Sequence, residues 1–383
     1  MKQSIRLLII IFLTASFTAC QTERPADEKN ERSISLGYLS APAGFEVEVF
    51  ADNVPNARQM TMSPEGIIYV GSRQEGKVHA VVDRDNDMKA DTVYLIDEDL
   101  RLPTGVTWKD GSLYVAAINR ILRYDNIDDN LEDPLEPVLV TDDMPEETHH
   151  GWKYIAFGPD DKLYIPIGAP CNICNMEEEN EYFATLTRMN ADGSDHEIVA
   201  RGIRNTVGFT WHPDTGNLWF TDNGRDWLGD DIPPCELNEI TEKGQHFGYP
   251  YLHGNDIWDP EFGEAGQAMN MDFKTPVREL GPHVAPLGVI FYTGDMFPEK
   301  YKNTAFIAEH GSWNRSEKIG YRITMVSFDD EGNPTGYEPF IYGWLQGEDD
   351  TRGRPVSILQ MEDGSLLISD DHSGKIYRVT YTS

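Results

Sequence analysis

The sequence is poor in basic residues. Its 383 residues include 32 Lys and Arg against 65 Asp and Glu, so the formal net charge at pH 7 is −33. A chain this acidic repels nucleic-acid phosphates, which argues against DNA or RNA as a partner. The length suits two domains or one large all-β or barrel domain, and 33 Gly with 23 Pro indicate many turns.

A hydrophobic run long enough to span a membrane is also missing at the N-terminus, where the apolar residues 7–13 follow two basic residues. This arrangement is that of a secretory signal peptide, residues 1–19. The sequence FTAC at 17–20 resembles the lipobox of bacterial lipoproteins and predicts that Cys20 becomes a lipidated N-terminus. An ordinary signal peptide with an incidental Cys20 is the alternative.

These features predict an exported protein on the periplasmic side of the bacterial cell envelope, attached to the membrane through its lipid alone. Gln21 replaces the Asp that often retains lipoproteins at the inner membrane, which favours the outer membrane. Residues 20–41 are predicted to be the lipidated cysteine and a flexible tether. Residues 42–383 are then a single folded domain.

Cysteine is scarce as well. Export leaves Cys171, Cys174 and Cys235 beyond the lipobox. The CxxC pair lacks the following His of a haem attachment site, and two thiolates are too few for a closed zinc site. A local disulfide between Cys171 and Cys174 is the simpler interpretation in an oxidising compartment. A zinc site completed by Cys235 and a fourth ligand stays open.

The chain has no long stretch in which apolar residues recur at helical spacing, and it repeats one β-rich unit. Each copy has a strand of alternating apolar residues, a short turn rich in Pro, Asp and Gly, and a second strand, which is a hairpin pattern. The six copies lie at 60–72, 106–118, 155–168, 209–224, 289–311 and 357–371. Recurrence every ~45 to 80 residues indicates a propeller or a repeat array. We predict an all-β fold, a six-bladed β-propeller of four-stranded antiparallel blades, closed by residues 45–51 in the last blade.

Polar residues collect at strand ends, which converge on the central channel of such a ring. They are His149, His150, Arg204, Asn205, residues 222–226, residues 310–315, Arg352 and Arg354. Several Arg side chains in one channel of an acidic protein indicate a bound polycarboxylate or phosphate, held by guanidinium groups. The alternative is that these Arg side chains pair with the abundant Asp and Glu.

Several of these motifs together resemble the soluble quinoprotein glucose/sorbosone dehydrogenases. The motifs are GIRNTVG at 202–208 with DNG at 222–224, His150 eight residues before GPD at 158–160, and Arg352 with Arg354. HGSWNR at 310–315 and GRDWLGDD at 224–231 point to the sorbosone and pyranose dehydrogenase branch. The resemblance covers residues 42–381.

The resemblance implies a six-bladed propeller that binds pyrroloquinoline quinone (PQQ), a tricarboxylic o-quinone, beside a calcium ion in the central channel. His150 takes the position of the general base that removes the proton of the sugar hydroxyl. The cofactor-contact positions are matched by Arg204, Asn205, Arg352 and Arg354, and the main-chain calcium ligands by Gly224 and Arg225. The implied activity is oxidation of a sugar or a sugar-derived aldehyde, with electrons passed to a separate cytochrome or quinone.

The sequence departs from the glucose enzymes in three places. His149 stands where they have Asp, so it is a second catalytic candidate that shares the base role or orients His150. Arg315 is the candidate replacement for an unmatched cofactor-contacting Lys, and the substrate-facing Gln has no counterpart near residues 102–105. Arg58 and Arg73 are further channel candidates. His283 is a candidate neighbour of cofactor or substrate.

Two other functional classes remain open. A calcium-dependent propeller lactonase or other hydrolase would need convergent oxygen ligands, for which the candidates are Asp222, Asn223, Asp226 and Asp370. That interpretation leaves the arginines unexplained. A lipid-anchored interaction propeller without catalysis would need neither the cofactor nor the His149–His150 pair.

Overall fold

Six antiparallel sheets surround a central channel in the computed structural model, which describes residues 32–382. The first strands of successive blades contact one another and form the inner ring. The predicted six-bladed β-propeller is therefore confirmed. The predicted signal peptide, residues 1–19, and Cys20 lie outside the described residues, and both stay predictions.

In blades one to four, the strands run outward from the channel in chain order. Blade one contains Ala57–Met62, Ile68–Ser72, Val78–Val82 and Thr92–Asp97. Blade two contains Gly105–Lys109, Ser112–Ala117, Arg120–Asp125 and Val138–Thr141. Blade three contains Ala156–Phe157, Leu163–Ile167, Thr185–Met189 and Glu197–Arg201. Blade four contains Phe209–Trp211, Leu218–Asp222, Pro234–Ile240 and Arg278–Pro282.

The ring closes as the sequence predicted. Blade six contains Pro355–Gln360, Leu366–Asp370, Lys375–Tyr381 and, from the N-terminal side, Phe45–Ala51. Phe45 pairs with Tyr381 across this junction and packs edge to face on Phe297 and Phe340 of blade five, with ring centroids 4.7 and 4.9 Å away. The closure thus joins the two ends of the propeller through main-chain hydrogen bonds and an aromatic core, and Phe45–Ala51 becomes the outermost strand of the last blade.

Blade five is wider than predicted. Its strands Pro286–Phe291, Ala305–Glu309, Arg322–Phe328 and Pro334–Tyr342 are extended by Leu39–Pro42 and Arg32–Ser35. Leu39 and Ala41 are fully buried in the core beside Trp344. The end of the segment assigned to the tether, residues 20–41, is therefore part of the sheet, because its alternating apolar side chains find a core to enter.

The longest insertion lies between the third and fourth strands of blade four and carries its own small elements. They are the hairpin of Leu252–His253 and Ile257–Trp258 and the α-helix Gly263–Ala268. A second small hairpin, Leu345–Gln346 with Asp350–Thr351, precedes blade six, and 3₁₀ turns occur at Ile127–Asp129 and Glu299–Tyr301. Among the described residues, no helix is both long and apolar enough to cross a membrane.

Glycine allows the inner strands of neighbouring blades to approach closely. A Cβ atom on Gly208, at the start of blade four, would lie 2.0 Å from the carbonyl oxygen of Leu287 in blade five. A Cβ on Gly288 would meet the Val356 carbonyl of blade six at 2.8 Å. The wall of the channel is thus built from main chain packed against main chain, which leaves little freedom for the residues that line it.

Gly208→Ala tests this close packing. We expect the free energy of unfolding to fall by about 1–3 kcal/mol, because the inner strands of blades four and five must separate to admit the methyl group. Urea denaturation would measure the change. Gly336→Ala is the matched control, since its Cβ would meet nothing closer than Ser327 at 3.8 Å. Equal stability of the two variants would contradict the close packing.

Candidate functional site

A cavity of about 760 Å³ lies where the connections between the blades meet. Its charged lining residues are Arg58, Arg73, Arg101, Arg204, Arg354 and Asp226. Five guanidinium groups and one carboxylate therefore face a single cavity in a chain whose net charge is −33. The concentration of arginine that the sequence predicted is present, and it makes this cavity suited to an anion.

Two buried aspartates hold the segments that carry the arginines. Asp222, at the end of the second strand of blade four, accepts hydrogen bonds from the main-chain N–H groups of Arg204 and Asn205 at 2.8 and 2.6 Å. Asp370 ends the second strand of blade six and accepts the N–H of Arg354 at 2.9 Å. Burial raises the pKa of Asp222 to about 6. The two blades thus use one arrangement to direct an Arg towards the channel.

This role of the aspartates counts against the carboxylate set considered for a hydrolase. Asp222 and Asp370 bind main-chain N–H groups in different blades. Among residues 32–382, the only group of acidic, His or Cys side chains close enough to share an ion is Asp83, Asp85 and Asp91, which lies outside the cavity. The cavity therefore lacks the convergent carboxylates, within the described residues, that such a hydrolase needs.

The Arg204 side chain is fixed by a short loop that a disulfide closes. Cys171 and Cys174 are bonded to each other, and Cys235 is a buried free thiol, so the local disulfide is confirmed and the zinc site is wrong. Asn172, inside this loop, accepts hydrogen bonds from Arg204 through its carbonyl and side-chain oxygens, each at 2.8 Å. Its side-chain oxygen also accepts the N–H of Asp226 at 2.8 Å. Asn172 was not foreseen, although its position within CxxC marks the loop.

Arg204 has further partners in the cavity wall. It donates to the carbonyl oxygen of Asn223 at 3.1 Å and pairs with the Asp226 carboxylate at 3.2 Å. Its five donor positions are thus largely occupied by protein acceptors. Arg204 is consequently a fixed positive charge at the cavity edge.

The opposite part of the wall holds arginines whose donors are incompletely used. Arg58 pairs with Asp371 at 2.8 Å, and Arg354 donates to the carbonyl oxygens of His310 and Gly311 at 3.0 and 2.9 Å. The guanidinium of Arg73 lies 4.0 Å from the ring centre of Trp152. The buried Nε atoms of Arg58 and Arg73 have no hydrogen-bond partner among the described residues.

Like charges crowd this part of the cavity. Burial, together with the positive charge of Arg58, lowers the pKa of Arg73 to about 10. Burial by itself raises the pKa of Asp371, but the charges and hydrogen bonds of His310 and Arg58 outweigh burial and hold it well below its ordinary value. One carboxylate therefore serves a cluster of cations, and a bound anion would relieve the remaining repulsion.

His150 presents one free ring nitrogen to the cavity. Its Nδ1 lies 2.8 Å from the carbonyl oxygen of Ala169, an acceptor, so Nδ1 carries the proton and Nε2 has the lone pair. Burial, reinforced by the charge of Arg204, lowers the pKa of His150 well below its ordinary value. His149 stacks obliquely on it, with ring centroids 4.1 Å apart. The structure thus places both predicted histidines in the cavity wall, with His150 as a neutral imidazole.

The backbone of the cavity wall is locally strained. Leu102, His150, His283 and Ala285 all line the cavity and have φ between 50° and 60°, in the left-handed region that non-glycine residues rarely adopt. A Cβ on Gly168 would come within 2.6 Å of the His150 Cβ, so a residue without a side chain leaves room for this turn. Strain of this kind is typical of functional sites, where the surrounding structure imposes the backbone conformation.

Two predicted cofactor residues do not reach the cavity. Arg352 points outward and pairs with Asp350 at 2.9 Å, because the small hairpin before blade six turns its side chain to the surface. Arg315 donates to the main-chain carbonyl of Asp230 and lies 3.5 Å from the Asp231 carboxylate. Both differ from the prediction, and Arg58 and Arg73 lie in the cavity in their place.

The remaining site candidates also divide into residues that line the cavity and residues that do not. Asn205, Gly224 and His283 line the cavity. The Arg225 side chain is buried but turned into the blade-four insertion, where it pairs with Asp259 at 2.6 Å. Arg101 lines the cavity as well. It was missed because it follows blade one without any motif.

The chain belongs to the TrAA12-like family, which residues 39–382 match. An uncharacterised protein of Borreliella burgdorferi is 35% identical over 389 residues, covering 98% of this chain and 97% of that protein. A pyrroloquinoline quinone-dependent sugar dehydrogenase of Hypocrea jecorina is 23% identical over 433 residues, covering 97% and 95%.

Solved structures share the fold. The calcium structure of a Trichoderma reesei carbohydrate-active enzyme of family AA12 has a TM-score of 0.77 at 20% identity, covering 90% of this chain and 97% of that one. The holo form of the PQQ domain of Coprinopsis cinerea pyranose dehydrogenase has a TM-score of 0.75 at 18% identity, covering 89% and 97%. The resemblance that the motifs predicted is therefore confirmed.

Replacing both Cys171 and Cys174 by Ser tests the loop that holds Arg204. We expect the free energy of unfolding to fall by about 2 kcal/mol, the chain-entropy contribution of so short a disulfide loop. Urea denaturation would measure this change. Dithiothreitol should destabilise the natural protein to the level of the variant and leave the variant unaffected. A reductant effect on the variant would show that the loss has another origin.

Proposed function

We propose that this protein is a PQQ-dependent sugar dehydrogenase. The observation that carries the proposal is the juxtaposition, in the lining of one cavity, of five guanidinium groups with a histidine whose Nδ1 is held by a carbonyl oxygen. The named relatives support it, since one is called a PQQ-dependent sugar dehydrogenase and another is a PQQ domain of a pyranose dehydrogenase.

The donor set fits a tricarboxylic quinone. Arg58 and Arg73 each have a buried Nε without an acceptor, and Arg354 adds a third guanidinium at the same wall. Carboxylates of a bound cofactor would pair with these guanidinium groups and neutralise the repulsion from Arg58, which adds to burial in lowering the pKa of Arg73. Arg204 and Asn205 would contact the cofactor from the opposite side. Arg315 and Arg352 are not among the residues we assign to it.

The proposed calcium ion binds near Gly224 and Asp226 in the cavity lining. The main-chain carbonyls of Gly224 and Arg225 are the ligands we propose, because calcium prefers oxygen donors. The Arg225 guanidinium would otherwise repel the ion, but its ion pair with Asp259 holds it in the insertion. Asp226 supplies the carboxylate of the cavity lining near these carbonyls.

His150 then serves as the general base. When bound, PQQ would supply the two-electron oxidant for the substrate carbon, and calcium would supply a Lewis acid beside it. The Nε2 of His150 accepts the proton of the sugar hydroxyl, and the bond from Nδ1 to Ala169 fixes the ring for this transfer. His149 contacts the His150 ring and orients it.

The substrate and the route of the electrons complete the proposal. The substrate is a sugar or a sugar-derived aldehyde. Electrons leave to a separate acceptor, a cytochrome or a quinone. The protein is exported and held on the periplasmic side of the cell envelope through the lipid on Cys20, in keeping with the N-terminal sequence.

Titration of the purified protein with PQQ tests the cofactor assignment. We expect saturable one-to-one binding of PQQ, measured by tryptophan quenching and by calorimetry. The affinity should weaken when a chelator removes calcium. Arg354→Met should reduce the affinity by roughly 1.5–3 kcal/mol, the contribution of a charged hydrogen bond.

Arg352→Met is the matched control for that titration. It removes an Arg two positions away whose side chain pairs with Asp350 at the surface, so its affinity should equal that of the natural protein. An equal loss in both variants would contradict the cofactor site. No binding with or without calcium would overturn the proposed function.

His150→Gln tests the base. We expect at least a ~100-fold loss of kcat with an artificial electron acceptor, because the general base is lost. In the natural protein the lowered pKa of His150 keeps the ring neutral, so kcat/KM should stay level from pH 8 to about 6.5 and fall only at lower pH. Full activity of the variant would contradict the assignment.

His149→Gln gives an independent check of the pair. The charge of His149 contributes to the lowered pKa of His150. Replacing His149 should therefore raise the pKa of His150 and move the acidic limb of the pH profile to higher pH. An unchanged profile would argue against this coupling.

A further inference from the structure

Two tryptophans stand exposed beside the cavity. Trp227 and Trp313 are 65% and 64% exposed, more than any other large apolar side chain among the described residues. Their rings meet edge to face with centroids 5.4 Å apart. They lie on different loops, after the second strands of blades four and five. Exposed aromatic pairs of this size are unfavourable in water and mark binding surfaces.

The pair borders a second, shallower depression of about 410 Å³. Its remaining lining residues are Gly229, Asp230, Asn314, Arg315 and Ser316. Trp313 lines both this depression and the central cavity, and His283 of the cavity donates to the carbonyl oxygen of Gly229 at 2.9 Å. The depression is therefore an outward continuation of the cavity, and its walls are tied to the cavity wall.

The backbone at Trp227 is locally strained. Its φ of 72° lies in the left-handed region, which is costly for a bulky residue. Asp230 holds the facing loops together by accepting the N–H of Ser316 at 3.0 Å, and its main-chain carbonyl accepts a hydrogen bond from Arg315. The tryptophan is thus kept in place by the fold at a conformational cost.

Polar groups surround the aromatic pair. The Asn314 Nδ2 is buried and has no hydrogen-bond partner among residues 32–382. Asp231 exposes 90% of its side chain beside Arg315. Flat aromatic surface combined with amide, carboxylate and guanidinium groups suits a sugar ring, whose faces carry C–H bonds and whose edge carries hydroxyl groups.

We propose that the Trp227–Trp313 depression is a subsite for a second sugar ring, one that does not react. The substrate is then an oligosaccharide whose terminal ring enters the cavity while the next ring packs on the tryptophans. This inference rests on the proposed function for the reaction itself. It also predicts sugar binding that can be measured without turnover.

Trp227→Ala tests the subsite, because Trp227 does not line the central cavity. The probes are glucose, cellotriose and maltotriose. For the trisaccharide with the higher affinity, we expect the variant to raise the dissociation constant about five- to tenfold in calorimetry, the effect of losing one aromatic contact. The ratio of kcat/KM for that trisaccharide to kcat/KM for glucose should fall by the same factor. The fall should come from a higher KM for the trisaccharide.

Two controls separate the subsite from a general loss of structure. Trp258→Ala removes another exposed tryptophan, 39% accessible, which lies in the blade-four insertion and outside the depression, and it should leave both quantities unchanged. Trp227→Tyr keeps an aromatic face and should restore most of the affinity.

The outcomes distinguish this inference from the proposed function. Trisaccharide binding that depends on Trp227 without any sugar oxidation would support the subsite and overturn the dehydrogenase. Oxidation of sugars with a chain-length ratio that Trp227→Ala does not change would overturn the subsite alone. A variant impaired only in its rate with a protein electron acceptor would likewise overturn it, since the surface would then be a docking site for that acceptor.

Discussion

The binding of main-chain N–H groups by buried aspartates at the strand ends is the interaction on which the site depends. Asp222 and Asp370 occupy matching places in blades four and six, and each directs the segment that carries an arginine. The arginines are thereby fixed before any ligand arrives. A cationic cavity can persist in so acidic a protein because its charges are held by the fold, where they cannot turn away to surface carboxylates.

The propeller supplies the rigidity that this arrangement needs. Neighbouring inner strands touch main chain to main chain at Gly208 and Gly288, and the ring closes through Phe45–Ala51. Because every blade is packed between two others, the connections that meet at the cavity are held from both sides. The strained turns at His150 and His283 are a consequence, since only a rigid frame maintains such backbone conformations.

The arginine charge that makes the cavity suited to an anion also acts on His150. Burial comes first, and Arg204 adds to it, so the pKa of His150 falls and its Nε2 stays available for a proton. The charge of Arg204 thus contributes both to the cationic character of the cavity and, after burial, to the lowered pKa of His150. Asn172 links them to the disulfide loop, because it fixes both Arg204 and Asp226.

The sequence by itself determined the repeat, the closing strand at 45–51, and the positions of His150, Arg204 and Arg354 in the connections between strands, because hairpin periodicity and motif order are local properties. It favoured the local disulfide, which the structure decided. Only the tertiary structure decided which arginines enter the cavity. Arg352 and Arg354 are two residues apart, yet a hairpin turns the first to Asp350 while Asp370 holds the second towards the channel. The tertiary structure likewise decided the positions of Arg58, Arg73 and the exposed Trp227–Trp313 pair. The neighbours of these residues come from other blades and from loops distant in the chain.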